Sequence, residues 1–143
     1  MSDQANLKIA HAFFDAWNAG DLSRMDPYEA DDSVSERPGA PGLLDRQQTR
    51  MYLQNFLTAF PGSQFEVWLT VADGDYVVDH WTASGTHAGP LYTPSGAAIP
   101  PTGKSIVVKG TLTSEIKGGK IVRTWGFFDM AGLLAQLDLL PAM

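Results

Sequence analysis

The stretch Gly118-Gly-Lys-Ile-Val-Arg-Thr-Trp-Gly-Phe-Phe-Asp-Met-Ala-Gly-Leu-Leu-Ala-Gln-Leu-Asp-Leu-Leu140 decides how the chain reads. Gly118-Gly119 makes a turn, and Ile121 to Phe128 is rich in β-branched and aromatic residues, so it reads as a strand. At Asp129 the pattern changes to helical, with Leu133, Leu134, Leu137 and Leu140 on one stripe and Pro141 as the stop. A carboxylate therefore stands where a strand becomes a helix, directly after Phe127 and Phe128 and close to Trp125. It is either a helix cap or a catalytic acid/base in an apolar cavity.

At 143 residues the chain is long enough for one domain with a real core, spanning 1–143, and too short for two. A net charge of -6 argues against nucleic acid and anionic membranes as partners, since both demand basic patches. No run reaches the length of a membrane span, and no secretory signal is visible, which points to the cytoplasm. Without cysteine there is no disulfide, thiol nucleophile or thiolate metal site. His11, His80 and His87 lack metal-binding spacing, and no phosphate loop or dinucleotide fingerprint occurs. The expectation is chemistry without metal or external cofactor.

Upstream, Asn6–Ala19 reads as an amphipathic helix carrying Ile9, Phe13, Phe14 and Trp17, followed by a short helix capped by Asp21. Asp31, Asp32 and Glu36 form an acidic patch, with Ser33–Glu36 as a short strand and Pro38–Gly42 as a loop. Leu43 to Phe60 reads as one long helix ending before Pro61-Gly62. Phe65, Val67 and Leu69 then alternate with Glu66, Trp68 and Thr70, and Asp73-Gly74 turns into a strand from Tyr76 to His87. One face of that strand carries Val77, Asp79, Trp81, Ala83, Gly85 and His87. Ala88–Lys104 is a long loop of the kind that forms lids, with Tyr92 its aromatic residue, and Ser105–Ile116 is a further strand. Helices followed by a run of antiparallel strands and a last helix make an α+β domain.

Several of these stretches in this order resemble one family. Asn18-Ala-Gly-Asp21 ends the first helix and Phe60-Pro61 the third. Gly85-Thr-His-Ala-Gly89 is followed by Pro100-Pro-Thr-Gly-Lys104, then Gly119-Lys-Ile-Val122, Trp125, Asp129 and Gly132-Leu-Leu-Ala-Gln-Leu137. Over nearly its whole length the chain resembles the SnoaL-like polyketide cyclases of the NTF2-like superfamily. The resemblance implies a cone-shaped α+β barrel: a curved antiparallel sheet packed against N-terminal helices, with a C-terminal helix and a deep apolar pocket. It also implies a homodimer through the outer face of the sheet, and cofactor-independent aldol ring closure on a polyketide-like substrate. Relatives include cofactor-independent hydroxylases, isomerases and proteins called ester cyclases. The family's acid/base aspartate maps onto Asp129. Its histidine on the penultimate strand has no counterpart here, where Lys109, Thr111, Thr113, Ser114 and Glu115 are the polar residues.

Aldol closure needs a base beside a carbonyl and then an acid for the new alkoxide, and one carboxyl group can serve as both. Burial among aromatic rings would raise the pKa of Asp129, whereas capping would lower it. His87 can donate to the carbonyl oxygen being enolised, or can be a strand-end histidine bonded to loop backbone. Phe14, Trp17, Asp79, Trp81, Tyr92, Thr111, Trp125 and Phe127 are the expected substrate contacts, although core packing is the default reading of Phe14, Trp17, Trp81 and Trp125. Arg37 and Arg123 read as surface or salt-bridge residues. The alternatives are a binding protein that caps its helix with Asp129, and an epoxide-hydrolase-like site built from Arg123, Asp129 and Asp79.

Overall fold

Ile9, Ala10, Phe13, Phe14 and Trp17 recur every three or four residues along α1 (Asp3–Asn18), so the helix buries one continuous face. The structure, a computed structural model, describes residues 3–139. Asp21 caps the 3-10 helix Leu22–Tyr28 by accepting from Ser23 N at 3.1 Å, as the sequence predicts. The chain continues as β1 (Glu29–Glu36), β2 (Leu44–Asp45), α2 (Arg46–Ala59), β3 (Gln64–Asp73) and β4 (Tyr76–Thr86). Then follow β5 (Leu91–Tyr92), β6 (Ala98–Ile99), β7 (Ser105–Lys117), β8 (Lys120–Phe128) and α3 (Met130–Gln136).

Six strands form one curved sheet in the order β2-β1-β8-β7-β4-β3, and β5 and β6 pair as a separate hairpin inside the long loop. Neighbours are antiparallel except β1, which runs parallel to β8. The sheet stays open, so the α+β architecture expected from the resemblance forms without closing into a barrel. Its concave face meets α1 and α2 over a core that includes Phe13, Trp17, Leu53, Leu57, Trp81 and Leu112. No helix among the described residues is long and apolar enough to cross a membrane.

Four sequence expectations need correction. The helix expected over 43–60 starts only at Arg46, because Asp45 and Gln48 form a reciprocal capping box: Asp45 Oδ1 accepts from Gln48 N at 2.8 Å, and Gln48 Oε1 from Asp45 N at 2.9 Å. The first strand begins at Glu29, four residues before Ser33. In β3 a bulge between Val67 and Leu69 inserts Trp68 and shifts the alternation by one residue. Phe65 and Val67 therefore point inward with Thr70, while Leu69 is exposed. At the far end α3 stops at Gln136, and Asp138 takes a positive φ of 58°. Leu140 and Pro141, expected to close that helix, lie outside the described residues.

Candidate functional site

Between the helices and the concave sheet lies an apolar cavity of about 670 Å³ counting its open mouth. Phe13 and Trp17 of α1 and Tyr52, Leu53 and Phe56 of α2 form one wall. Phe65, Trp81, Ile106, Val108 and Phe128 form the sheet wall, and Leu133 of α3 lies at the edge. The rings meet edge to face: Phe65 and Trp81 at 4.7 Å and 70°, Trp17 and Phe65 at 5.1 Å and 86°, Phe56 and Phe128 at 5.7 Å and 87°. Trp81 packs against Gly110, where an added Cβ would overlap its indole. Trp17 Nε1 donates to Ser63 Oγ at 3.0 Å, which satisfies the buried indole.

Trp17 and Trp81 thus line the cavity as expected, and the other predicted contacts do not. Phe14 is buried behind the wall against Phe13 and His11. Trp125, Phe127 and Thr111 fall on the convex face, since alternation along β7 and β8 turns Leu112, Gly126 and Phe128 inward. Phe127 is 47% exposed there, and Arg123 lies 4.7 Å over the Trp125 ring while pairing with Glu36 at 2.8 Å. Tyr92, on the β5 strand of the loop, is 50% exposed. The Arg123–Asp129–Asp79 constellation does not assemble, because Arg123 is turned outward and Asp79 serves another partner.

That partner is His11. Asp79 is wholly buried, its Oδ1 accepts from Thr70 Oγ1 at 2.7 Å, and His11 Nε2 lies at the same distance. The hydrogen bond to Asp79 raises the His11 pKa against the opposing effect of burial, with the charges of Asp79 and Asp15 adding to the rise. This cluster ties α1 to β3 and β4 and lies apart from the cavity lining.

His87 is also wholly buried, with its ring 5.3 Å from Phe60. Its Nδ1 accepts from Thr102 N at 3.2 Å and lies 3.1 Å from Thr102 Oγ1, and its backbone bonds to Lys104 and Gly103. Burial lowers its pKa, opposed in part by the Gly89 backbone. The residue fastens both ends of the 88–104 loop and does not face the cavity.

Asp129 is not itself part of the cavity lining, although its neighbour Phe128 and its helix-mate Leu133 both are, which puts it beside the rim. It is exposed, and its Oδ1 accepts from Gly132 N at 2.8 Å as the N-cap of α3. Of its three aromatic neighbours in sequence only Phe128 faces the cavity.

The residue that sequence reading missed is Arg37. It lines the cavity, where burial drives its pKa down to about 10 against weaker opposing effects of Tyr52 and Glu29. Nε donates to Ser35 Oγ at 3.0 Å and Nη2 to Thr124 Oγ1 at 3.2 Å, and the guanidinium lies 5.9 Å over the Phe13 ring. An Arg that follows a strand and precedes a Pro-Gly loop carries no sequence mark of burial. Beside it, Tyr52 donates to Pro38 O at 2.6 Å, and burial lifts its phenol to about 12. Among the described residues no group of three His, Asp or Glu is placed to hold a metal ion.

The sequence model of the SnoaL-like polyketide cyclase family matches residues 8–137, and the chain belongs to that family. No curated protein matches it. Among solved structures it is similar to AclR, a proposed hydroxylase from Streptomyces galilaeus, with 26% identity, a TM-score of 0.85, and 98% of this chain and 100% of that one covered. It is also similar to IdmH, a proposed polyketide cyclase from Streptomyces antibioticus, with 28% identity, a TM-score of 0.77, and coverage of 93% and 98%. A SnoaL-like protein from Jannaschia sp. CCS1 shares the fold at 16% identity and a TM-score of 0.84, over 97% of this chain and 95% of that one.

Proposed function

We propose that this chain closes a carbon–carbon bond within a small hydrophobic, polyketide-like molecule by acid/base chemistry that needs no external cofactor. The observation that carries this reading is the position of Asp129 in the chain between two residues, Phe128 and Leu133, that line the aromatic cavity. Oδ1 is engaged by the helix amide, which leaves Oδ2 free of hydrogen bonds among the described residues. That oxygen takes a proton from carbon next to a carbonyl. The enolate carbon then attacks a second carbonyl of the same molecule, and the resulting alkoxide recovers the proton from the carboxyl group. Folding the substrate against flat rings brings the two carbons together, which is the larger part of the catalytic task in an intramolecular reaction. His87 contributes by fixing the loop, as a positioning residue.

The test is exchange of the α-proton of 2-methyl-1-tetralone in D2O, followed by NMR. Acceleration by the wild type, reduced about 10²–10⁴-fold in Asp129→Asn, supports the reading. A second reading, a carrier that binds such molecules without converting them, is favoured by the lack of any carboxylate or imidazole among the described residues of the cavity wall. Binding of the probe with no acceleration by the wild type would select it.

We further infer that the convex face pairs with a second copy of the chain. Trp68, Leu69, Val71, Tyr76, Val107 and Phe127 leave an apolar surface exposed there.

A further inference from the structure

The cavity has a second compartment. Next to it lies a much smaller chamber, with room for little more than a water-sized group, and Ser33, Ser35, Thr49, Ser114 and Thr124 are among its walls. Arg37 lines both spaces, so they meet at its side chain. Its guanidinium lies so close to the backbone of β8 that a Cβ added to Gly126 would overlap Nη1.

Two features of this chamber are unsatisfied. Arg24, Arg46, Arg50 and Arg123 each have a carboxylate within 4 Å, and Arg37 has none among the described residues. Its two protein acceptors are neutral hydroxyls, which use two of its five N–H groups and leave both hydrogens of Nη1 and one of Nη2 without a partner. The second feature is Ser114 Oγ, wholly buried in the chamber wall with no hydrogen-bond partner among the described residues. Buried polar groups are normally paired, and a half-buried cation held only by neutral hydroxyls lacks a counter-charge. The one acid in the chamber wall, Glu29, is already bound by Arg50 at 2.7 Å and Arg46 at 3.7 Å.

We propose that this chamber is a subsite for a carboxylate carried by the ligand, so that the molecule taken up is an apolar acid. The free end of the guanidinium offers two parallel N–H groups, the geometry that binds a carboxylate through both oxygens. The inference rests on the cavity reading above and adds an orientation to it. Three residues of extended chain separate Gly126 from Asp129, roughly 10 Å. The acid group is anchored at that distance from the carbon that reacts at the rim.

Isothermal titration with 2-naphthoate and its uncharged isostere 2-naphthamide, at pH 7.5, tests this. The wild type binds the acid at least tenfold more tightly than the amide. Arg37→Met brings the ratio near one, Gly126→Ala lowers it by displacing the guanidinium, and Arg24→Met, at an exposed pair, leaves it unchanged. Equal binding of the two probes by the wild type overturns the subsite and leaves the apolar cavity standing. Binding of neither removes the cavity reading and the subsite with it. Should Arg37→Met fail to fold, shown by loss of its melting transition, the wild-type ratio and Gly126→Ala still decide. Proton exchange at Asp129 is read separately, so the loss of catalysis and the loss of acid recognition are distinguishable.

Discussion

His11 Nε2 lies 2.7 Å from Asp79 Oδ1, and this contact fastens the first helix to the middle of the sheet. The folded state raises the His11 pKa, first through the hydrogen bond to Asp79 and further through the charges of Asp79 and Asp15. Protonated His11 therefore stabilises the fold. The contribution is complete below the unfolded value near 6.5 and is lost as pH rises through the higher folded value. With the His11 side chain 35% exposed, solvent screening limits the effect to about 1 kcal/mol, or roughly 3 °C in Tm for a domain of this size. Melting curves from pH 5.5 to 9 should show this decline in the wild type and not in His11→Gln. A decline of equal size in the variant would assign it elsewhere.

Asp129 has a structural duty that can be separated from its proposed chemical one. Asn caps as well as Asp, so Asp129→Asn should melt within a degree or two of wild type, whereas Asp129→Ala should lose about 1 kcal/mol. Denaturant unfolding of both variants measures the difference. A large loss in Asp129→Asn would show that the charge itself, and not the cap, holds α3.

Much of the fold was legible because alternation and helical spacing are local. The buried face Val77, Asp79, Trp81 and His87 was read directly from the period of two. The site was less legible, because one residue of shift changes which side chains face the cavity. Trp125 and Phe127 look like pocket residues in sequence, but they alternate with Gly126 and Phe128, which take the inner positions. Trp68 spoils the count in β3 in the same way, and no local signal marks it as the extra residue. The capping box at Asp45 and Gln48 was a readable sign of where α2 starts. Arg37 was not readable, since its burial depends on Ser35, Thr124 and Gly126, and two of these are distant in the chain.

Gly110 tests how tightly the sheet wall is built. A methyl group there would overlap the Trp81 indole and would sit 2.5 Å from the carbonyl oxygen of Phe127. Gly110→Ala should cost about 1–3 kcal/mol through overpacking. It should also push the indole into the cavity and weaken 2-naphthamide binding. Unchanged stability and unchanged binding would mean that the wall yields more easily than its packing indicates.

The convex face gives a test of self-association. A lysine at Val107 or Phe127, both more than 45% exposed, places a charge on the apolar surface without touching the cavity. Sedimentation at micromolar concentration should show a dimer for the wild type and a monomer for Val107→Lys and Phe127→Lys. A monomeric wild type would leave this face without the partner inferred for it.

Because the sheet never closes, it ends on two free borders. At one, β2 is only two residues long and gives a foreign strand little to grip. At the other, β3 is ten residues long; the Asn18 side chain pairs with Phe65 N–H and C=O near its start, and the rest of its outer edge is the usual template for runaway chain-to-chain pairing. The bulge at Trp68 breaks the regular hydrogen-bond spacing near its centre, and Glu66 and Asp73 place negative charge along it. The irregularity that misleads a reading of β3 thus also guards the domain against aggregation along its one long edge.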